Sequence, residues 1–265
     1  MGLTLLELLV VITVIALLVA IVMPSLRASR EHANAVICCS NLRQLSIGLL
    51  LYASENETFP QAFDDTLQNA PQGGYAGNHS FDRTGWWWFN RTTDCDPQDK
   101  KNILWCPARK IRNRNLQMYV LHGNYGVNES VCRNARGKLS QKEFTGTPLR
   151  TMDLPHPGET LLIMDCGYSM ITWWHVTQEP PVPFGDTIED AAYVPGMGIN
   201  REKKLWQGQE GDAIEGRHPN RNVNVGLADG HISKVPADSL MVEKVTDGYR
   251  NVNLLWVPKR TQTTE

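Results

Sequence analysis

Residues 1–24 read MGLTLLELLVVITVIALLVAIVMP and decide the fold of this chain. The run from Leu8 to Met23 carries no charge, and Leu3 to Met23 gives about 30 Å of helix, enough to cross the hydrocarbon core of a bilayer. Glu7 lies near the head of this run, where a carboxylate costs roughly 2.5–3.5 kcal/mol and therefore indicates a functional role. Pro24 lacks an N–H and is predicted to end or kink the run.

The simplest alternatives are a cleaved signal peptide and a plain membrane anchor. A signal peptide has a basic start, a shorter apolar core and a cleavage site with small residues. Here the run is long, contains Glu7 and passes through Pro24 into the charged stretch Ser25 to Asn34. These features disfavour a signal peptide and leave an anchor, or a helix with a further function.

The chain after Pro24 becomes amphipathic. Apolar side chains recur at helical spacing, with polar residues between them: Leu42, Leu45, Leu49 and Tyr52. One helix from Leu3 to Ser54 would be about 75 Å long, so its second half is predicted to lay this stripe on a globular body.

The body is predicted to be α+β, with an antiparallel sheet and irregular loops. Strands are predicted at Thr160 to Met164, Met170 to Val176, Asn222 to Ala228, His231 to Val235, Val242 to Val245 and Val252 to Val257. Asp229-Gly230 separates two alternating runs and predicts a hairpin with a type I′ turn. The cluster Trp86 to Phe89 fits a buried core segment, a subunit contact or a ligand platform.

Six cysteines leave the thiol chemistry open. Outside the cytoplasm, Cys95 with Cys106 and Cys132 with Cys166 are candidate pairs, and Cys38 or Cys39 is an alternative partner for Cys106 that would fasten the helix to the body. Free buried thiols are the remaining alternative. The sequence contains no Cys-x-x-Cys pair with a matching partner pair, so the cysteines give little indication of a metal site.

Charge and motifs exclude several functions. The formal net charge is -2, so there is no basic footprint for nucleic acid. The sequence also lacks a G-x-S-x-G, Walker or H-E-x-x-H motif, so neither an enzyme nor a cofactor is expected.

The segment Gly2-Leu3-Thr4-Leu5-Leu6-Glu7 resembles the processing signal of type IV pilins and pseudopilins. The resemblance implies that prepilin peptidase cuts after Gly2, that the amine of Leu3 is methylated, and that Glu7 and Pro24 take part in filament assembly. The family's leader is usually basic, whereas here only Met1 precedes Gly2. The positive-inside rule, applied to Arg27 and Arg30 alone, favours a body in the cytoplasm, whereas the resemblance implies a body outside it. A start codon upstream of Met1, or a truncation, would explain the missing basic leader and remove this conflict.

A second segment, from Arg217 to His231, resembles the H-x9-D-G signature of a group of pilin-like proteins. In this chain ten residues, not nine, separate His218 from Asp229. The group's earlier landmarks resemble Cys38 to Leu45 and Cys106-Pro107. His218, Asp229 and Gly230 are interpreted as turn and hairpin residues, with a structural calcium ion on Asp229 and Asp165 as a less favoured alternative.

The resemblance implies four segments: a leader (1–2), an apolar filament-core helix (3–24), its amphipathic continuation (25–58) and an α+β head (59–265). It also implies a homopolymer with other pilin-like subunits, processed by prepilin peptidase and built on an inner-membrane platform, in a pilus or a secretion pseudopilus. The precursor would cross the inner membrane once, with its head outside the cytoplasm. A tip adhesin using the aromatic cluster and a membrane-tethered enzyme are the alternatives.

Overall fold

The computed structural model describes residues 4–66, 85–135, 142–180 and 192–256. Its leading element is a helix, α1, from Leu5 to Asn56. Thr4 caps the start of α1 in a reciprocal capping box with Glu7, and Glu57 ends it in the left-handed conformation, with a φ of 65°. Pro24 lies inside α1 and does not end it, because the residues on both sides continue the helical hydrogen bonding around the one N–H that proline lacks.

The two halves of α1 have different surroundings. Every residue from Thr4 to Ala33 is exposed. From Ala35 onward one face is buried, and the apolar residues on that face are Ala35, Cys38, Leu42, Leu45, Leu49 and Ala53. The predicted stripe is therefore confirmed for Leu42, Leu45 and Leu49, whereas Tyr52 is half-buried. The helix α1 joins an exposed rod, apolar up to Met23, to an amphipathic half that is buried on one face.

The remaining elements are short. The helices are α2 (Trp88–Thr92), α3 (Arg114–Gln117) and α4 (Glu210–Ala213). The strands are β1 (Phe63–Asp64), β2 (Trp86–Trp87), β3 (Tyr125–Asn128), β4 (Leu161–Asp165), β5 (Met170–Ile171), β6 (Asn222–Leu227), β7 (Ile232–Pro236), β8 (Val242–Val245) and β9 (Gly248–Asn251). The described 3₁₀ turns are Lys142–Phe144, Thr151–Asp153, Trp173–Val176, Gly198–Glu202, Pro219–Arg221 and Ala237–Leu240.

A five-stranded sheet in the order β5-β3-β4-β6-β7 forms the centre of the body. All its neighbours are antiparallel except β3 and β5, which are parallel. The sheet is therefore mixed and not wholly antiparallel as predicted, because the short return from β4 brings Met170 beside Val127 in the same direction. The α+β class with a long N-terminal helix is confirmed.

Two strand predictions are wrong in extent. Met170–Val176 is a strand only at Met170–Ile171 and then turns into the 3₁₀ turn Trp173–Val176. The predicted strand at Val252–Val257 is not formed over residues 252–256, because the last hairpin turns earlier, pairing Val245 with Gly248. Residue 257 lies outside the described residues.

The two faces of the sheet carry two hydrophobic clusters. The first packs the stripe of α1 and the aromatic residues Phe63, Trp87 and Trp88 against one face. The second covers the other face, with Trp173, Trp174 and Trp256 among its members. Half of α1 is thus an integral part of the first core.

Helix and sheet are in close contact at Gly226 on β6. A Cβ on Gly226 would collide with Oγ of Ser46 on α1 and would lie 2.9 Å from Cγ2 of Ile163. Only glycine therefore allows α1 to lie at this depth on the sheet.

We expect Gly226→Ala to lower the free energy of unfolding by about 1–3 kcal/mol, because the added methyl group overpacks this contact. Gly198→Ala is the matched control, since its Cβ would meet nothing closer than 3.4 Å, and its effect should stay within about 0.5 kcal/mol. Denaturant unfolding of the detergent-solubilised chain measures both. Equal effects would contradict the packing described for Gly226.

Candidate functional site

The exposed half of α1 is the first candidate site. It is the only helix among the described ranges that is long and apolar enough to span a membrane. Its side chains include Leu5, Leu6, Leu17 and Ile21, which are 64–84% exposed. Nothing in the described body covers this surface.

Glu7 is hydrogen-bonded to Thr4, the residue that caps the start of α1. Its Oε2 accepts hydrogen bonds from the backbone N–H and from Oγ1 of Thr4, each at 2.9 Å. Glu7 N in turn donates to Thr4 Oγ1 at 3.3 Å. A carboxylate has about four acceptor positions, so these bonds leave capacity for a further donor. The processing residues Gly2 and Leu3 lie outside the described residues.

The junction between α1 and the body is fixed covalently. A disulfide joins Cys38 of α1 to Cys106, with Cα atoms 5.5 Å apart. Two hydrogen bonds flank it: Asn41 Nδ2 donates to the carbonyl of Trp105 at 3.3 Å, and Tyr125 Oη donates to the carbonyl of Cys38 at 3.4 Å. The segment around Cys106 therefore runs along α1.

The other predicted cysteine pairs do not form. Cys95, Cys132 and Cys166 are free thiols, as is Cys39. Cys95 cannot pair with Cys106 because Cys38 already occupies that sulfur. Cys132 and Cys166 are buried, and burial raises the pKa of the Cys166 thiol to about 11, which keeps it protonated and unreactive.

A buried polar cluster adjoins this junction. His218 Nε2 lies 3.0 Å from Oδ2 of Asp165, and neither side chain has exposed surface. Oδ2 of Asp165 also accepts a hydrogen bond from the backbone N–H of Asn224 at 2.7 Å. His218 thus contacts the end of β4 and the start of β6, and not the Asp229 turn.

Arg217 is the central cation of the cluster. Its Nε and Nη2 donate to the two carboxylate oxygens of Asp212 at 3.1 and 2.6 Å. Its Nη1 donates to the carbonyl of Asn124 at 2.7 Å and lies 3.7 Å from Oδ1 of Asp165. Asn124 Oδ1 accepts from the N–H of Cys106 at 2.9 Å. One guanidinium therefore connects the disulfide segment, α4 and the sheet.

Burial and neighbouring charges shift the pKa values of this cluster in opposite directions. Burial by itself would raise the pKa of Asp165, but the hydrogen bond from His218 and the charge of Arg217 hold that pKa below its usual value. Burial would likewise lower the pKa of Arg217, whereas the carboxylate of Asp212 raises it above its ordinary value. These contacts therefore keep Asp165 and Arg217 ionised inside the body.

The Asp229 hairpin has a different geometry from the predicted type I′ turn. Gly230 N donates to the carbonyl of Leu227 at 3.0 Å, and Leu227 N donates to the carbonyl of His231 at 2.8 Å. Gly230 has a φ of 93°, but Asp229 is not among the residues with positive φ. The loop has three residues, not two, with a left-handed glycine last, because pairing ends at Leu227 and His231.

The carboxylate of Asp229 makes its contacts within the hairpin, with His231. Its carboxylate accepts from the N–H of His231 at 3.0 Å and lies 2.6 Å from Nδ1 of the same residue. The N–H of Ala228, next to Asp229, donates to the carbonyl of Thr160, directly before β4. Asp165 is the last residue of β4, so it lies about 16 Å from Thr160 at about 3.3 Å per residue. The structure therefore does not bring Asp229 and Asp165 together as a calcium site.

The aromatic cluster is part of the core. Trp87, Trp88 and Phe89 are at most 1% exposed. Trp88 Nε1 donates to the carbonyl of Ser169 at 2.9 Å, and Trp86, which is half-buried, lies beneath the guanidinium of Arg91. Of the three alternatives for this cluster, the structure supports the core.

Arg217, Asp212 and Asn124 were not predicted as site residues. They are far apart along the chain, and no spacing or composition in their surroundings distinguishes them. The only available signal was the position of Arg217 directly before His218.

Comparison of the chain with known family models, curated proteins and solved structures gives no match, so the function has to be inferred from its own residues.

We expect Arg217→Met to lower the free energy of unfolding by about 3–5 kcal/mol, because the carboxylate of Asp212 would stay buried without its cation. Arg250→Met removes a similar pair with Glu243 on the surface, where both side chains are at least 42% exposed, and should cost less than about 1 kcal/mol. Denaturant titrations of both variants compare the two costs. A loss for Arg217→Met no larger than the control's would show that this cluster is not held by its charges.

Proposed function

We propose that this chain is a structural subunit of a helical filament of the type IV pilus or secretion-pseudopilus kind. The observation that carries the proposal is the exposed half of α1, in which residues 5–33 extend about 43 Å from the body with every side chain uncovered. The stretch of this rod from Leu8 to Met23 carries no charge and requires lipid or other apolar helices around it.

The energetics support two successive environments. Each Leu, Ile or Val left in water forgoes about 1.5–3 kcal/mol, so the rod is stable only where water is excluded. Before assembly, lipid surrounds it as a single membrane span. In the filament, the same half-helix of neighbouring subunits replaces the lipid.

Glu7 supplies the register of assembly in this proposal. The bonds to Thr4 satisfy part of the acceptor capacity of its carboxylate at the start of the rod. After cleavage behind Gly2, the new amine of Leu3 is a cation that pairs with Glu7 of an adjacent subunit and offsets the cost of a buried carboxylate. Such a head-to-tail contact does not close, so it repeats along a fibre.

The body contributes a covalent fastening. The Cys38–Cys106 disulfide holds α1 to the head where the rod emerges, and disulfides are typical of compartments outside the cytoplasm. This supports a precursor whose head lies outside the cytoplasm. In the proposal, prepilin peptidase and an assembly platform in the inner membrane act on its N-terminal helix. The buried Trp87 and Trp88 give no support to a tip adhesin that binds through this cluster.

We expect Glu7→Ala to leave membrane insertion intact and to reduce sheared fibres at least about tenfold, since about 1.4 kcal/mol lost per subunit contact already changes association tenfold. The variant replaces the chain in the bacterium that produces it, and electron microscopy and immunoblots of sheared material measure the fibres. N-terminal mass spectrometry of the membrane fraction reports separately whether the chain begins at methylated Leu3.

Thr13→Val is the matched control, because Thr13 is the other polar side chain between Leu5 and Met23 and bonds to the carbonyl of Val10 in its own helix. It should assemble normally. Normal fibres from Glu7→Ala, or shaft protein that retains Met1 and Gly2, would refute the proposal.

A further inference from the structure

A thiol–imidazole cluster lies at the junction of α1 and the body. The sulfurs of Cys38 and Cys106 and a ring nitrogen of His218 all lie within 4.8 Å of one another, and all three residues are buried. They come from three separate parts of the chain, so the fold, and not local sequence, brings them together.

The hydrogen bonding of His218 determines which ring nitrogen is available. Oδ2 of Asp165 already accepts from Asn224 N, so it is an acceptor, and Nε2 of His218 donates to it across 3.0 Å. Nδ2 of Asn224 also lies 3.1 Å from Nε2. In the neutral imidazole, which is the form that binds a metal, protonation at Nε2 leaves the lone pair on Nδ1. Although it is buried, Nδ1 has no hydrogen-bond partner among the described residues, and an unpaired buried acceptor is energetically unfavourable.

This arrangement is that of a metal-binding histidine. A ligating imidazole generally donates its second N–H to a carboxylate, which fixes the ring and its tautomer. Asp165 occupies that position, and Arg217 lies 3.7 Å from its other oxygen. Two thiolates and one imidazole are ligands that zinc prefers, at about 2.3 Å for sulfur and about 2.0–2.1 Å for nitrogen.

We propose that, before the disulfide forms, Cys38, Cys106 and Nδ1 of His218 bind one Zn²⁺ ion, with water in the fourth tetrahedral position. This inference goes beyond the filament proposal and does not depend on it. Metal and disulfide exclude each other because they use the same two sulfurs, and either one fastens α1 to the body.

The exchange between the zinc-bound state and the disulfide state balances in atoms and electrons. Zinc binding to the two thiols releases two protons into solution. Oxidation then removes two electrons from the two thiolates and forms the sulfur–sulfur bond, and an external disulfide accepts these electrons and becomes two thiolates. Zn²⁺ leaves, since a disulfide sulfur is no longer a thiolate ligand.

The test uses the full chain in detergent, purified under a phosphine reductant and freed of metal. We expect the reduced chain to take up one Zn²⁺, or one Co²⁺ with a thiolate charge-transfer absorption, and the disulfide form to take up none. Oxidised glutathione added to the zinc-loaded chain should release one Zn²⁺, detected with a chromogenic chelator, for each two thiols lost. No uptake by the reduced chain would overturn the proposal.

Variants assign the ligands. His218→Gln and Cys38→Ser should weaken zinc binding by at least about tenfold, and Asp165→Asn by about 10- to 100-fold through the orientation of the ring. Cys95→Ser, which changes a free and half-buried thiol, is the matched control and should bind as the unaltered chain does. Equal affinity in His218→Gln and the control would overturn the proposed ligand set.

One measurement needs no variant and so does not depend on their folding. In the reduced unaltered chain, Zn²⁺ should slow the alkylation of Cys38 and Cys106, mapped by mass spectrometry, and leave that of Cys95 unchanged. Zinc that is bound without protecting Cys38 and Cys106 would place it elsewhere and refute the site.

Discussion

The two halves of α1 require different surroundings, and the rest of the molecule is arranged around that constraint. The half up to Ala33 is exposed and carries no charge from Leu8 to Met23, whereas the half from Ala35 to Ala53 buries one of its faces against the sheet. A helix is stiff over this length, so forces applied to the rod act directly on its packed half. The body must hold α1 firmly where the rod leaves it.

The residues at that point provide such a hold. The disulfide between Cys38 and Cys106 is flanked by hydrogen bonds from Asn41 and Tyr125, and the Cys106 N–H is bonded to Asn124. Arg217 extends the same network to Asp212 on α4. Buried ion pairs contribute little net stability compared with apolar packing, but they penalise any rearrangement that separates them. The cluster is therefore better suited to fixing one position of α1 than to adding stability.

Local patterns predicted some elements well and others poorly. The stripe of Leu42, Leu45 and Leu49 repeats at helical spacing and predicted both the helix and its buried face. The segment Met170–Val176 is rich in strand formers but becomes a 3₁₀ turn after Ile171, since short apolar runs carry no decisive period. At Asp229-Gly230 the sequence predicted a hairpin correctly, but the loop length depends on where strand pairing ends.

The sequence by itself determined that a long helix begins beside Thr4 and Glu7, that its first half is apolar and that its second half has one apolar face. These properties depend on residues a few positions apart. Only the tertiary structure decided which sulfur Cys106 bonds, that Trp87 and Trp88 lie in the core, and that His218 meets Asp165 beside that sulfur. Those contacts join residues far apart in the chain, and they are selected by the packing of the whole sheet against α1, which no local spacing encodes.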